Sequence, residues 1–403
     1  ETAASFRENI LSKGGSEHPM KLYVRFHEEA EKEEAASLDK HSALNDEARA
    51  WFRKIEQGDE EAVSLWQRMK ELTLKEVGAV YDLLGVHFDS YAGESFYEDK
   101  MPAVIEELRG SGVAKLDRGA LIVDLSEYDM PPCIILKSDG STIYATRDIA
   151  AAIYRKETYD FVKSLYVVAY QQNLHFRQFF KVLELMGRSW VKDMEHVNFG
   201  MVSMEEGTLS TRHGNVVYLE DVLKASIEKT LEIIKEKSPE LEDKETAARA
   251  VGVGAVVWGV LYNSRIKDTS FSWAKALNFD GETGPYAQYT HARCCSVLRK
   301  AGVSMPSADV DCAALADASS AALVKAIAAF PEVVVSAAEK NEPYLVARAV
   351  IDVCACFNKF YYDNRIMDDD PAVRAARLAL TDAARLTIRN GLYLLGLEAP
   401  ERM

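Results

Sequence analysis

Four short apolar runs, at 120–125 (ALIVDL), 133–136 (CIIL), 165–169 (LYVVA) and 196–199, alternate with helical stretches at 101–110, 147–157, 174–186 and 219–237. That alternation argues for a parallel sheet with crossover helices, whose ligands sit at the carboxyl ends of the strands. The stretch 140–178 carries two such ends. Ile143 and Tyr144 close an apolar strand, and Thr146 is placed to N-cap the helix that follows. Tyr144 and Asp148 stand four apart across this junction. A second strand, Leu165–Ala169, runs into a helix beginning near Asn173 and leaves Gln172 at the next edge. A phenol, a carboxylate and an amide would then line one crevice. The carboxylate suits a cation, above all a planar guanidinium, which it can accept through two oxygens in parallel. The plainer alternative is an exposed tyrosine and a helix-N-terminal aspartate stabilised by the helix dipole.

The flanks are helical. Helices are expected over 19–36, 43–57 and 59–84, with Gly58-Asp59 breaking the last two apart. Beyond Leu219 no strand is expected. Helices near 243–265, 284–300, 319–338, 342–362 and 371–395 imply an all-α C-terminal domain, with a surface loop or short helix over 303–318. In the last helix Leu380, Ala384, Ile388 and Leu392 form one apolar stripe. Four segments result: 1–85 helical, 86–225 α/β, 226–278 a helical connection and 279–403 all-α.

With no uninterrupted apolar run near 18 residues and no signal-peptide pattern at its start, the chain is expected to lack a membrane span. The six cysteines (Cys133, Cys294, Cys295, Cys312, Cys354 and Cys356) include no CxxC pair and no Cys/His ligand quartet. They read as small buried hydrophobes in a reducing cytoplasm, and no metal site is expected. A net charge of −15 speaks against a nucleic-acid partner only until its distribution is considered. Residues 28–61 hold 12 acids and 5 bases, whereas 371–403 hold 5 arginines and 3 acids. Local basic patches suffice to bind a large folded RNA.

Two clusters suit such a partner. Tyr286, Tyr289 and Arg293, spaced by three and four, share one helix face. Tyr361, Tyr362 and Arg365 make a second aromatic-basic group in FNKFYYDNR (357–365). Aromatics beside an arginine stack on unpaired bases, although an ordinary buried aromatic stripe has the same spacing. In HVNFGMV (196–202), Gly200 permits close backbone approach to a planar ring, and His196 alone could equally be a core-edge histidine.

Seven motifs stand in the order found in one family: GESFY (93–97), KSDGSTIYATRD (137–148), YVV followed after four residues by NLHF (166–176), HVNFGMV, LSTRHGNV (209–216), FDGETGPYAQYTHAR (279–293) and GLEAPERM (396–403). In these the chain resembles the arginyl-tRNA synthetases, class I aminoacyl-tRNA synthetases, over nearly its whole length. The resemblance implies the second half of a Rossmann-like catalytic domain, preceded by a helical insertion and followed by an α-helical anticodon-binding domain.

It implies an arginine–tRNA ligase, a translation enzyme that uses L-arginine, ATP with Mg2+, and tRNA(Arg). By matching positions, Glu94, Tyr144 and Asp148 would hold the guanidinium and Gln172 the backbone end of arginine. His196 and the backbone of Gly200, Met201 and Val202 would meet ATP. LSTRHGNV resembles the mobile class I signature loop, in which Ser210, Thr211 and Arg212 would stabilise the departing pyrophosphate. Tyr286, Tyr289, Arg293, Tyr361, Tyr362 and Arg365 would bind the tRNA. The metal would arrive with ATP, without a dedicated carboxylate cage.

Two departures qualify this. Thr208 stands where the signature loop has its first lysine, and no H-x-G-H tetrapeptide occurs. A cytoplasmic monomer truncated at its N-terminus, inactive as these 403 residues alone, is therefore expected. The contrasting expectation is a non-catalytic tRNA-binding or regulatory paralogue.

Overall fold

The computed structural model describes residues 17–38, 41–204, 218–278, 281–307 and 309–403. Three helices open it: α1 (Glu17–Ala36), α2 (Ala43–Glu56) and α3 (Glu60–Leu84). The Ser42 hydroxyl caps α2 by accepting from Asn45 N and donates to Glu33 at 2.8 Å, which ties α2 to α1. Asp59 caps α3 after the left-handed Gly58 (φ +74°), the break the sequence predicts. The far end of α3 is held by Val80, Leu83 and Leu84, which pack beside Leu223, Val253 and Val256 of α7 (Leu219–Lys237) and α8 (Lys244–Leu261). The α7–α8 contact is close because Gly252 has no side chain. A Cβ there would lie 2.8 Å from the Ile227 Cα.

The α/β region holds α4 (Met101–Gly110), β1 (Lys115–Asp117), β2 (Ala120–Val123), β3 (Cys133–Leu136), α5 (Tyr144–Tyr159), β4 (Ser164–Ala169), α6 (Asn173–Leu185) and β5 (Met194–Phe199). Its core includes the fully buried Leu108, Leu125, Ile135, Ile149, Phe179 and Leu183. The expected single parallel sheet is not what forms. β1, β2 and β3 make an antiparallel meander, with Lys115 opposite Ile122 and Ile122 opposite Ile134. Only nine residues separate β2 from β3, too few for the crossover that a parallel return needs. The parallel pairs are β4–β5, with Tyr166 opposite His196, and β6 (Val202–Met204) with β7 (Thr269–Phe271).

β7 corrects the expectation of no strand beyond Leu219. Three residues are too few for a readable alternation, and this strand exists through its pairing with β6. Helix α5 also starts earlier than expected, at Tyr144, after an extended Ile143. Thr146 is not its cap. Its side chain is buried and donates to the Ile135 carbonyl of β3.

After α9 (Trp273–Ala276) come α10 (Gly284–Lys300), α11 (Ala318–Lys340), α12 (Tyr344–Asp363) and α13 (Pro371–Leu394). They enclose a core of Leu323, Val350, Phe357, Phe360, Ala384, Ile388 and Leu392, so the predicted stripe on α13 faces inward. The C-terminal tail folds back onto this domain. Gln288 donates to the Glu398 carbonyl, and His291 Nδ1 lies 3.0 Å from the Pro400 carbonyl.

One sequence expectation, that all six cysteines are buried, needs correction here, and one helix bears on the expected lack of a membrane span. Helix α11 is long and apolar enough to cross a membrane by length and composition, because its many alanines and valines carry a high mean hydropathy despite interspersed charges. Leu323, Phe330 and Ala337 of α11 nevertheless pack into the helical core. Of the six free cysteines, Cys312 is exposed and Cys356 half-buried, at the short 3-10 turn Cys312–Leu315 and on α12 respectively.

Candidate functional site

At the carboxyl edge of β3 and β4, the structure brings Tyr144, Asp148 and His175 together. Tyr144 opens α5 and Asp148 lies one turn further, so both side chains leave the same helix face. Asp148 Oδ2 accepts a hydrogen bond from His175 Nε2 at 2.6 Å. The His175 ring packs edge-on against Tyr144, with centroids 4.7 Å apart, and lies against Phe179 at 5.1 Å. Asp148 is 38% exposed, whereas His175 is 9% exposed. The crevice therefore offers a carboxylate and a phenol backed by a buried imidazole. Gln172 ends a 3-10 turn, Tyr170–Gln172, after β4 and is exposed there, as the strand-edge argument requires.

Glu94 sits in a 3-10 turn before α4, and its Oε2 accepts from Arg147 Nη1 at 2.7 Å. A guanidinium does meet Glu94, but it is this chain's own. Arg147 and His175 contact the candidate residues Glu94 and Asp148, and sequence reasoning passes over both. The strand-edge rule that selects Gln172 reaches His175 one helical turn later, whereas no local signal pairs Arg147 with Glu94, 53 residues away.

The ATP candidates lie along β5 and β6. His196 stacks on Phe176 at 4.0 Å, and its Nε2 donates to the Val168 carbonyl at 2.9 Å. Burial is the main cause that lowers its pKa, in spite of that bond. The ring is thus built into the sheet edge, the plainer of its two readings. Gly200 is required to be glycine by the chain's own packing. A Cβ there would lie 2.5 Å from the Lys267 carbonyl carbon.

Gly200 N–H donates to the Arg265 carbonyl at 2.7 Å, Met201 N–H to Asp268 Oδ1 at 2.7 Å, and the Met201 carbonyl accepts from Thr269 N–H at 2.9 Å. Those three backbone groups, expected to read a base, are satisfied within the chain. Gly200, Met201 and Val202 also line a cavity of about 790 Å3 whose wall is mainly apolar, with Val197, Phe199, Val260, Val334 and Leu394. Arg265 and Glu342 also line it. Ser210, Thr211 and Arg212 lie outside the described residues. Among the described residues, no group of three His, Cys, Asp or Glu side chains is arranged to hold a metal ion.

On the helical domain, Arg293 lies over two rings, Tyr289 at 4.8 Å and Tyr361 at 5.6 Å. Asn358 ties this group together, accepting from Arg293 Nη1 and donating to the Tyr286 hydroxyl at 3.0 Å. Tyr289 and Tyr361 are exposed, while Tyr286 is half-buried against the helical core with its pKa raised mainly by burial. Tyr289 and Arg293 also border a cavity of about 310 Å3 with Ile233, Lys237 and Met403. Tyr362 is 89% exposed, and Arg365 pairs with Asp369 at 3.1 Å on the surface. Arg293 of the first predicted cluster thus reaches Tyr361 of the second. Asn358, which sequence reasoning missed, links Arg293 to Tyr286.

Two family profiles match the chain. The family profile described as "tRNA synthetases class I (R), catalytic domain" matches residues 3–273, and the "DALR anticodon binding domain" matches residues 287–403. The arginine–tRNA ligase of Clostridioides difficile (strain 630) is 57% identical over 384 residues, 95% of this chain and 66% of that protein. The enzyme of the same name from Halothermothrix orenii is 53% identical over the same shares. The chain therefore spans just under two thirds of these relatives' length.

Among solved structures, Thermus thermophilus arginyl-tRNA synthetase aligns with a TM-score of 0.76 at 24% identity, over 97% of this chain and 74% of that one. Mycobacterium tuberculosis methionyl-tRNA synthetase aligns at 0.60 and 11% identity, over 94% of this chain and 88% of that one, a likeness of fold alone. With a catalytic-domain profile covering more than half of its residues and relatives above 50% identity, the chain belongs to the class I tRNA synthetases of the arginine (R) family.

Proposed function

We propose that this chain supplies the arginine pocket, one side of the ATP site and the anticodon-binding domain of an arginine–tRNA ligase. The reaction is ATP-dependent activation of L-arginine and its transfer to the 3′ end of tRNA(Arg). The observation that carries this reading is the half-exposed Asp148 carboxylate beside Tyr144, anchored through one oxygen by His175. A fixed carboxylate next to a phenol receives a planar guanidinium by geometry. A neutral side chain would leave the carboxylate without its counter-charge. Glu94 joins this pocket through Arg147, and Gln172 meets the backbone end of the amino acid.

ATP arrives as its magnesium complex, and no general base is needed. The arginine carboxylate is itself the nucleophile at the α-phosphorus, so the protein contributes position and charge. The adenine lies against the apolar wall beside Gly200, Met201 and Val202, with His196 shaping the strand beneath. Ser210, Thr211 and Arg212 steady the departing pyrophosphate. On the helical domain Tyr289, Arg293 and Tyr361 stack with anticodon bases, with Tyr286 as their support and Tyr362 and Arg365 at the rim. The working boundaries remain 1–85, 86–225, 226–278 and 279–403, and a monomer in the cytoplasm is the expected setting.

The test is aminoacylation of tRNA(Arg) by the complete gene product with ATP and Mg2+, comparing arginine with lysine at equal concentration. Charging with arginine alone is expected. Equal use of lysine, or no charging with either, would overturn the reading.

A further inference from the structure

His175 belongs to none of the groups assigned to substrate, yet it touches both residues that face the crevice. One imidazole donates from Nε2 to Asp148 Oδ2 at 2.6 Å and packs edge-on against Tyr144 at 4.7 Å. Those two residues are one turn apart on α5, whereas His175 comes from α6, so it braces them from outside their own helix. The ring is itself held. Phe176 and Phe179 lie 5.4 and 5.1 Å from its centroid, and the side chain is almost wholly buried. An aspartate in the first turns of a helix samples several staggered rotamers when unrestrained. A single bond from a buried, immobile donor selects one of them and engages one carboxylate oxygen. The other oxygen stays available for the second arm of a bidentate pair.

We propose that His175 is a positioning residue. By fixing the Asp148 carboxylate and the Tyr144 ring together, it sets the affinity for arginine and the discrimination against lysine. This rests on reading Asp148 as the guanidinium acceptor. His175 never touches the reacting atoms. Its effect is confined to the orientation of the acceptor, so it belongs in the Michaelis constant for arginine and not in those for ATP or tRNA. Preorganisation of this kind also favours a planar cation over a flexible point charge, because only the former uses the fixed direction of the carboxylate.

The experiment uses three variants of the complete gene product. His175→Phe keeps an aromatic ring in the aromatic cluster and removes the donor. His175→Gln restores an N–H at similar reach, and Asp148→Asn tests the underlying reading. Aminoacylation is measured with arginine and lysine, together with the KM values for ATP and tRNA and the melting temperature.

The expected result is a rise in arginine KM of about tenfold for His175→Phe, the loss of roughly one charge-assisted hydrogen bond. The arginine/lysine ratio should fall with it. ATP and tRNA KM values should stay within about twofold of the parent, and His175→Gln should recover most of the loss. An unchanged arginine KM in His175→Phe, alongside a raised one in Asp148→Asn, overturns the inference and leaves the Asp148 reading standing. An unchanged value in Asp148→Asn overturns the reading and the inference with it. A uniform rise in all three KM values with a lowered melting temperature, unrelieved in His175→Gln, shows a purely structural histidine and also overturns the inference.

Discussion

Arg265 is the joint between the α/β region and the helical domain, and Arg265→Met tests how strongly the two are held together. The guanidinium donates from Nη1 to the backbone and side-chain oxygens of Asn198, the latter at 2.6 Å, and from Nε to the Asn341 carbonyl at 3.1 Å. Its Nε also stands 3.8 Å from Glu342 Oε1, with side-chain exposures of 21% and 16% for the two partners. Methionine fills much of the same volume, so the change removes charge and donors more than packing.

What remains is a largely buried Glu342 carboxylate without its counter-charge and three carbonyl oxygens, two of Asn198 and one of Asn341, without this donor. Removing one partner of a buried pair costs roughly 3–5 kcal/mol, much of it the desolvation of the survivor. The Glu342 carboxylate keeps bonds from the Ser264 hydroxyl (3.2 Å) and Arg265 N–H (3.3 Å), which moderates that figure to about 3 kcal/mol. For a unit of 150–250 residues this lowers the melting temperature by about 6–12 °C. Scanning calorimetry of the parent, Arg265→Met, Glu342→Gln and the double variant gives the coupling directly. If the charge argument is right, Glu342→Gln costs less in the Arg265→Met background than in the parent. A melting temperature for Arg265→Met within 1 °C of the parent refutes it, as does strict additivity of the two changes.

Three further outcomes follow from the same geometry. Tyr289→Ala should weaken tRNA(Arg) binding by about 5- to 150-fold in filter-binding titrations, the value of one stacked base, with ATP affinity unchanged. Equal losses for a tRNA with a scrambled anticodon loop would remove this face from anticodon reading. Gly200→Ala places a Cβ against the Lys267 backbone and should cost about 1–3 kcal/mol in denaturant unfolding, whereas a neutral effect would mean that the 265–269 segment yields freely. Burial pushes the Asp317 carboxyl up, but hydrogen bonds from Ser319, Ser320 and Asn364 outweigh it and hold its pKa well below the usual range. A depressed carboxylate stabilises the fold above its unfolded pKa of about 4, and that contribution fades as pH falls toward its folded value. The melting-temperature gap between the parent and Asp317→Ala should therefore be full at pH 6 and shrink below about pH 4; a gap independent of pH would refute this.

Helices and their ends were legible in the residues themselves. α4, α7 and α10 begin and end where the sequence predicts, and Asp59, read as part of the break between two helices, caps α3 through a bond to the residue three positions ahead. Such signals are local, since a cap or an amphipathic stripe lies within a few turns of the chain. The pair Tyr144 and Asp148 was legible from its four-residue spacing, although the strand end expected at Tyr144 proved to be the first turn of α5. Tertiary structure alone decided the rest. β2 and β3 run antiparallel because the link between them is short, and β7 exists only through its pairing with β6.

Which groups ended up opposite one another was equally hidden. Arg147 meets Glu94 across 53 residues, His175 meets Asp148 across 27, and Arg265 meets Asn198 across 67. The Gly200 position was noticed as a place of close approach, but the approaching backbone proved to be Lys267 of the same chain. A hydrogen bond depends on positions in space set by the packing of several elements. No window of sequence short enough to read contains both of its ends.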